Sequence, residues 1–167
     1  MIILIENIKE KLKQPLPGKK AHIELAPYRN EIELDYKNKK PKIASTLLLI
    51  YPKNDSLFFC LIHRNEYRGT HSNQISFPGG KNESGESMKE TALRETKEEI
   101  GVDPISINII GELTQVFVPP SNFLIHPFVG YCDFTPLFKA NEREVKRIIE
   151  VNICLLYTSP SPRDRVL

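Results

Sequence analysis

The chain has 167 residues, enough for one domain that buries its own core without disulfide or metal staples. Apolar residues make up 40% and charged residues 26%, which excludes wholesale disorder, collagen-like repeats and a coiled coil. With 23 basic against 21 acidic residues the net charge is +2, too small for non-specific binding to nucleic acid or membrane, so any anionic ligand must be held locally.

In chain order, Met1 to Ile5 is apolar but is followed at once by Glu6, Lys9, Glu10 and Lys11, too soon for a signal segment or a membrane span. Ile2, Ile5, Ile8 and Leu12 recur at helical spacing and predict an amphipathic helix over 2–13, stopped by Pro15, Pro17 and Gly18. Residues 19–42 are basic and carry Pro27 and Pro41; they are expected to wrap irregularly over the surface. The β-rich runs 43–51 and 57–63 flank a Pro-Lys-Asn-Asp-Ser turn and predict a hairpin, and 74–77 predicts a short strand. A capping box, Ser87 with Glu90, opens a helix that Gly101 closes. Runs 107–118 and 123–132 read as a strand pair, and 148–153 as a further strand. Strands, helix, strands make the fold α/β. Cys60, Cys132 and Cys154 form neither a zinc pattern nor an even disulfide framework, which suits a reducing, cytoplasmic setting.

Residues 154–164 match, over eleven consecutive codons, an in-frame translation of a transposase-type sequencing adapter, with 165–167 as index bases. The alternative is a natural Ser/Pro-rich tail. On the adapter reading 1–153 is the domain, with 1–41 an N-terminal helix and extension, 154–167 is not native, and the C-terminal element is truncated.

The capped helix carries the chemistry. At 100° per residue, Leu93, Thr96 and Ile100 are expected to face the sheet while Glu95, Glu98 and Glu99 fan over the other side. Three carboxylates so placed repel one another. Either Arg94 and Lys97 offset them on a solvated face, or they hold a hard divalent cation through oxygen.

Gly80, Glu86, Arg94, Glu95, Glu98, Glu99, Gly101 and Val102 fall at the spacing GX5EX7REUXEEXGU, with Thr96 in place of the first aliphatic residue. The segment resembles the Nudix box, and Thr96, being β-branched, can pack in the same slot. The resemblance implies an α/β/α sandwich with a mixed sheet and Mg²⁺- or Mn²⁺-dependent hydrolysis of a nucleoside diphosphate linked to another group. It implies Glu95 and Glu99 as metal ligands, Glu98 as a further ligand or base, Gly79 and Gly80 as a close-approach loop, and Glu86 and Arg94 as residues that orient the carboxylates.

Upstream, Arg64 and Phe77-Pro78-Gly79-Gly80 stand in the register of LLTXR(S/A)X3RX3GX3FPGG, the coenzyme A pyrophosphatase signature that this segment resembles. Ile62, Gly69 and Asn73 depart from it. The resemblance implies Arg64 and Arg68 as phosphate forks, against the alternative of ordinary surface charges. His71 is a phosphate contact or a loop-packing histidine. Segments 16–21, 118–123 and 126–128 are similar to the same subfamily. Segment 141–145 matches one that delivers a further acidic residue, making Glu144 a candidate base, unless it is an exposed helix glutamate. The implied partner is a small molecule, coenzyme A or a related nucleotide; nucleic acid and membrane are not implied, and a homodimer is compatible. A general pyrophosphatase acting on ADP-ribose, or a Nudix-fold binding module without turnover, are the alternatives.

Overall fold

The structure, a computed structural model, describes residues 2–25, 39–67 and 70–158. In chain order the elements are α1 (Ile2–Leu12), α2 (Gly18–Leu25), β1 (Lys42–Lys53), β2 (Ser56–Arg64), β3 (Ile75–Ser76), β4 (Gly79–Lys81), α3 (Met88–Ile100), β5 (Asn108–Glu112), β6 (Val116–Val118), β7 (Phe123–Tyr131), β8 (Val145–Asn152) and α4 (Leu155–Thr158).

β1 is the central strand, and its near-continuous apolar run serves two faces at once. Leu47, Leu49 and Tyr51 join Cys60, Ile62, Phe128 and Val145 on one side, where Ala92 and Ile100 of α3 cover them. Leu48 and Ile50 join Leu57, Phe59 and Val129 on the other, where Ile5, Ile8 and Leu12 of α1 cover them. The period-2 alternation of the strand and the 3.6-residue stripe of each helix thus close an α/β/α sandwich. Each such side chain taken fully out of water contributes about 1.5–3 kcal/mol.

The sheet is mixed. β1 pairs antiparallel with β2 and β4 and parallel with β7, from Lys42 opposite Phe123 to Ile50 opposite Tyr131. β2 also carries β3 and β8, and β7 carries β5 and β6, all antiparallel. Asn54 and Asp55, at φ 49° and 56°, make the two-residue turn between β1 and β2. At that end of the sheet the Tyr51 hydroxyl donates to Glu150 Oε2 at 2.9 Å, and Lys53 Nζ donates to Oε1 at 2.7 Å. Burial raises the Tyr51 hydroxyl well above its ordinary range, and pushes the Cys60 thiol up to about 12, so Cys60 packs as a small apolar group.

Three expectations change. Part of the stretch 19–42 is helical: Gly18 turns at φ 51°, and the following Lys-Lys-Ala-His-Ile-Glu-Leu run contains only one β-branched residue, so α2 forms. Residues 26–38, including Pro27, lie outside the described residues. The run 107–118 is two strands, because Pro127 of β7 has no N–H to return to its neighbour; its carbonyl accepts from Leu113 N at 2.8 Å, and three residues, Leu113 to Gln115, bulge past two. Within α3, Glu99 faces inward rather than outward: it stands only about 60° around the helix from Thr96, and is fully buried.

Candidate active site

The site grows from the start of α3. Ser87 Oγ accepts from Glu90 N at 3.2 Å and Glu90 Oε2 accepts from Ser87 N at 2.7 Å, the reciprocal capping box. Gly101, at φ 76°, ends the helix with its N–H on the Lys97 carbonyl. Just before the cap, Glu86 accepts from Arg94 Nε and Nη2, each at 3.0 Å, a two-pronged pair. Glu86 also accepts from Glu83 N and from the Thr91 hydroxyl, both at 2.8 Å. These donors, Arg94 first, hold its carboxyl down at about 2. Arg94 is thereby fixed, and its Nη1 reaches Glu95 at 2.9 Å and Glu98 at 3.1 Å.

Two carboxylates turn inward. Glu99 accepts from Gly79 N at 2.8 Å through Oε2 and from Arg64 Nη1 at 2.9 Å through Oε1. Burial is the main reason its carboxyl rises to about 7, with Glu95 and Glu144 adding negative charge nearby. Glu95 also rises above its ordinary value, again through burial first and against the pull of Arg94. Gly80 lies directly on the Glu95 carboxylate, where a Cβ would collide with Oε1. Gly79, at φ 154°, presses on the Ser45 carbonyl in the same way. No residue with a side chain fits either place without something shifting.

On the far side of this glycine pair lies a cleft of about 260 Å³. Ala44 and Thr46 of β1 and Phe123 and Ile125 of β7 line it, with Phe77, Tyr67, Arg64, His71, Gln74 and Lys81 around them. One strand, β4, therefore separates a largely apolar cleft from a carboxylate cluster and touches both.

Glu95, Glu99, Arg64, Gly79 and Gly80 are brought together, with Glu86 and Arg94 supporting Glu95. Glu98 lies at the rim, its side chain 52% exposed. Glu144 is in the turn entering β8 rather than on a helix; its carbonyl accepts from Asn65 N at 2.9 Å, and its charge is felt at both Glu95 and Glu99. His71 lines the cleft and pairs with Gln74 Oε1 at 3.0 Å. Arg68 and Gly69 lie outside the described residues. Thr96 packs fully buried in the aliphatic slot, its hydroxyl returned to the Ala92 carbonyl at 2.7 Å. Sequence reasoning passed over Tyr67, Gln74 and Lys81 as cleft residues. Only the aromatic ring of Tyr67 amid a polar loop hinted at such a role.

Mg²⁺ and Mn²⁺ take oxygen donors. Glu95, half-buried, Glu99, buried, and Glu144, exposed at the rim, present only oxygen, and the negative charges of Glu95 and Glu144 bear on Glu99, so the donor chemistry fits a hard cation. In the arrangement seen, Arg94 and Arg64 occupy the two inward carboxylates, and among the described residues no group of three donors stands in ligating geometry.

The NUDIX domain model matches residues 41–156. The chain belongs to this family. Nudix hydrolase 3 of Caenorhabditis elegans is 36% identical over 96 residues, 56% of this chain and 40% of that protein. The uncharacterized Nudix hydrolase NudL of Yersinia enterocolitica is 34% identical over 92 residues, 54% of this chain and 47% of its own length. The chain thus spans less than half the length of these relatives. In fold, the Nudix domain resembles the C. elegans Ap4A hydrolase binary complex (TM-score 0.57, 15% identity, 74% of this chain and 90% of that one). It is equally similar to the NUDIX domain of Shewanella oneidensis NrtR complexed with ADP ribose (TM-score 0.57, 16% identity, 78% and 87% covered). No described helix of the Nudix domain is long and apolar enough to cross a membrane.

Proposed function

We propose that this Nudix domain hydrolyses the pyrophosphate bond of coenzyme A or a derivative, with Mg²⁺ or Mn²⁺, giving 4'-phosphopantetheine and adenosine 3',5'-bisphosphate. One observation carries the reading: the segment that resembles the coenzyme A pyrophosphatase signature forms the wall between cleft and carboxylates, Arg64 on one side and Phe77 to Gly80 on the other. A bound cation would be held by Glu95 and Glu99, with Glu98 or Glu144 adjoining. It would neutralise pyrophosphate charge and lower the pKa of a water.

The chain's own groups do the rest. The Gly79 N–H and Arg94 fix the directions of Glu99 and Glu95. Arg64, with Arg68 and His71 as further candidates, meets phosphate oxygens. Phe77, Phe123 and Ile125 give the cleft an apolar surface for an uncharged portion of the substrate. Water adds to one phosphorus, the bridging P–O bond breaks, and the water proton passes to a carboxylate, for which Glu144 and Glu98 are placed at the rim. Cys60 and Cys132, buried and not joined in a disulfide, support a reducing, cytoplasmic location.

Chromatography of products from coenzyme A, dephospho-coenzyme A and ADP-ribose, each with Mg²⁺ and with Mn²⁺, tests the assignment. Coenzyme A should turn over fastest and yield the two named products. Faster turnover of ADP-ribose would replace the substrate class, and metal-dependent binding without products would make the domain a binding module.

A further inference from the structure

The two inward carboxylates are each held by an arginine, and the arginines are anchored differently. Arg94 spreads over Glu86, Glu95, Glu98 and the Lys81 carbonyl, so releasing Glu95 would leave it in place. Arg64 has one carboxylate partner among the described residues, Glu99 at 2.9 Å. Its Nε is buried and finds no acceptor there, and its guanidinium carbon stands 6.0 Å from the Tyr67 ring centre. The same side chain lines the cleft.

A divalent cation arriving at Glu99 meets the Arg64 guanidinium in a poorly solvated place, where like charges repel strongly. Of the two arginines, only Arg64 can leave without abandoning other ion pairs. We propose that Arg64 is a place-holding counter-ion: it neutralises Glu99 in the metal-free chain, yields that carboxylate to the cation, and turns its fork into the cleft to take a phosphate oxygen. The proposal rests on the metal-dependent pyrophosphatase reading above and adds an order to it, cation before anion, each ligand tightening the other.

Mn²⁺ binding to the whole chain, followed by loss of the free-ion electron paramagnetic resonance signal, is the first test. Arg64→Gln removes the competing cation and should bind Mn²⁺ about fivefold or more tightly than wild type, with Arg64→Lys close to wild type. Equal or weaker binding by Arg64→Gln overturns the proposal and leaves the substrate assignment standing. The second test needs only the wild-type fold: Mg²⁺ should shift the Arg64 side-chain Nε–Hε resonance, assigned by its absence from Arg64→Lys, while that of Arg94 stays. An unmoved Arg64 resonance overturns the exchange. Calorimetry with inorganic phosphate, a group common to either substrate class, should show tighter binding once Mg²⁺ is present, and indifference to Mg²⁺ overturns the order. None of these readouts involves turnover, so a preference for ADP-ribose would refute the substrate assignment alone.

Discussion

Glu95 and Glu99 reach the candidate site by different routes. Glu95 is pinned by Arg94 and roofed by Gly80, whereas Glu99 is sunk beneath the sheet edge on a backbone N–H. If both hold a cation by charge, Glu95→Gln and Glu99→Gln should each lower kcat by roughly two orders of magnitude or more. Circular dichroism should keep the wild-type form, since the amide preserves shape and can still accept from Gly79 or Arg94. Near-normal turnover in both variants would remove the metal assignment. The resemblance to the Nudix box singled out these carboxylates beforehand, yet the inward turn of Glu99 was not legible. An acidic residue 60° from the buried stripe faces solvent unless something supplies donors, and the donors, Gly79 N and Arg64, come from β4 and β2. Helical geometry within one segment carries no information about them.

The element that positions the chemistry, α3 with the turn before it, is locked by charge as well as by its cap. Glu86 is held at about 2 by Arg94 and neighbouring donors, against an ordinary 4.5, so the folded state favours its ionised form. The stability this provides is complete above about pH 4.5 and is lost as the pH falls through 2. Thermal melts of wild type and Glu86→Gln should therefore differ most near neutrality and converge as acid protonates Glu86. A gap that stays constant down to the acid limit would show that Glu86 acts through shape alone. The bounds of this helix were readable beforehand, because the capping box, the left-handed glycine and the spacing of Leu93, Thr96 and Ile100 are all local. The break between β5 and β6 and the helix α2 were not. Pro127 acts on its neighbour across the sheet, and proline and lysine content hid a stretch of good helix formers between Gly18 and Leu25.

Across the whole molecule, the hairpin of β1 and β2 closes locally at Lys53 opposite Ser56, but the parallel ladder joins Lys42 to Phe123. That centrepiece unites the first half of the described sheet with the second, and it was invisible as a pairing in the sequence, where both strands read only as apolar runs. It also dictates an order of assembly. Contacts between distant segments form only after a large loss of chain entropy, whereas the hairpin and the capped helix need little. Pulse-labelled hydrogen exchange during refolding should show amides of β1, β2 and α3 protected ahead of those in β7; simultaneous protection would mean that the ladder itself nucleates. Until β7 arrives, one edge of the central strand β1 offers unpaired N–H and C=O groups to any neighbour. Newly made or refolding chains consequently pass through an interval of vulnerability to edge-to-edge association, so the recovered yield should decline as protein concentration rises.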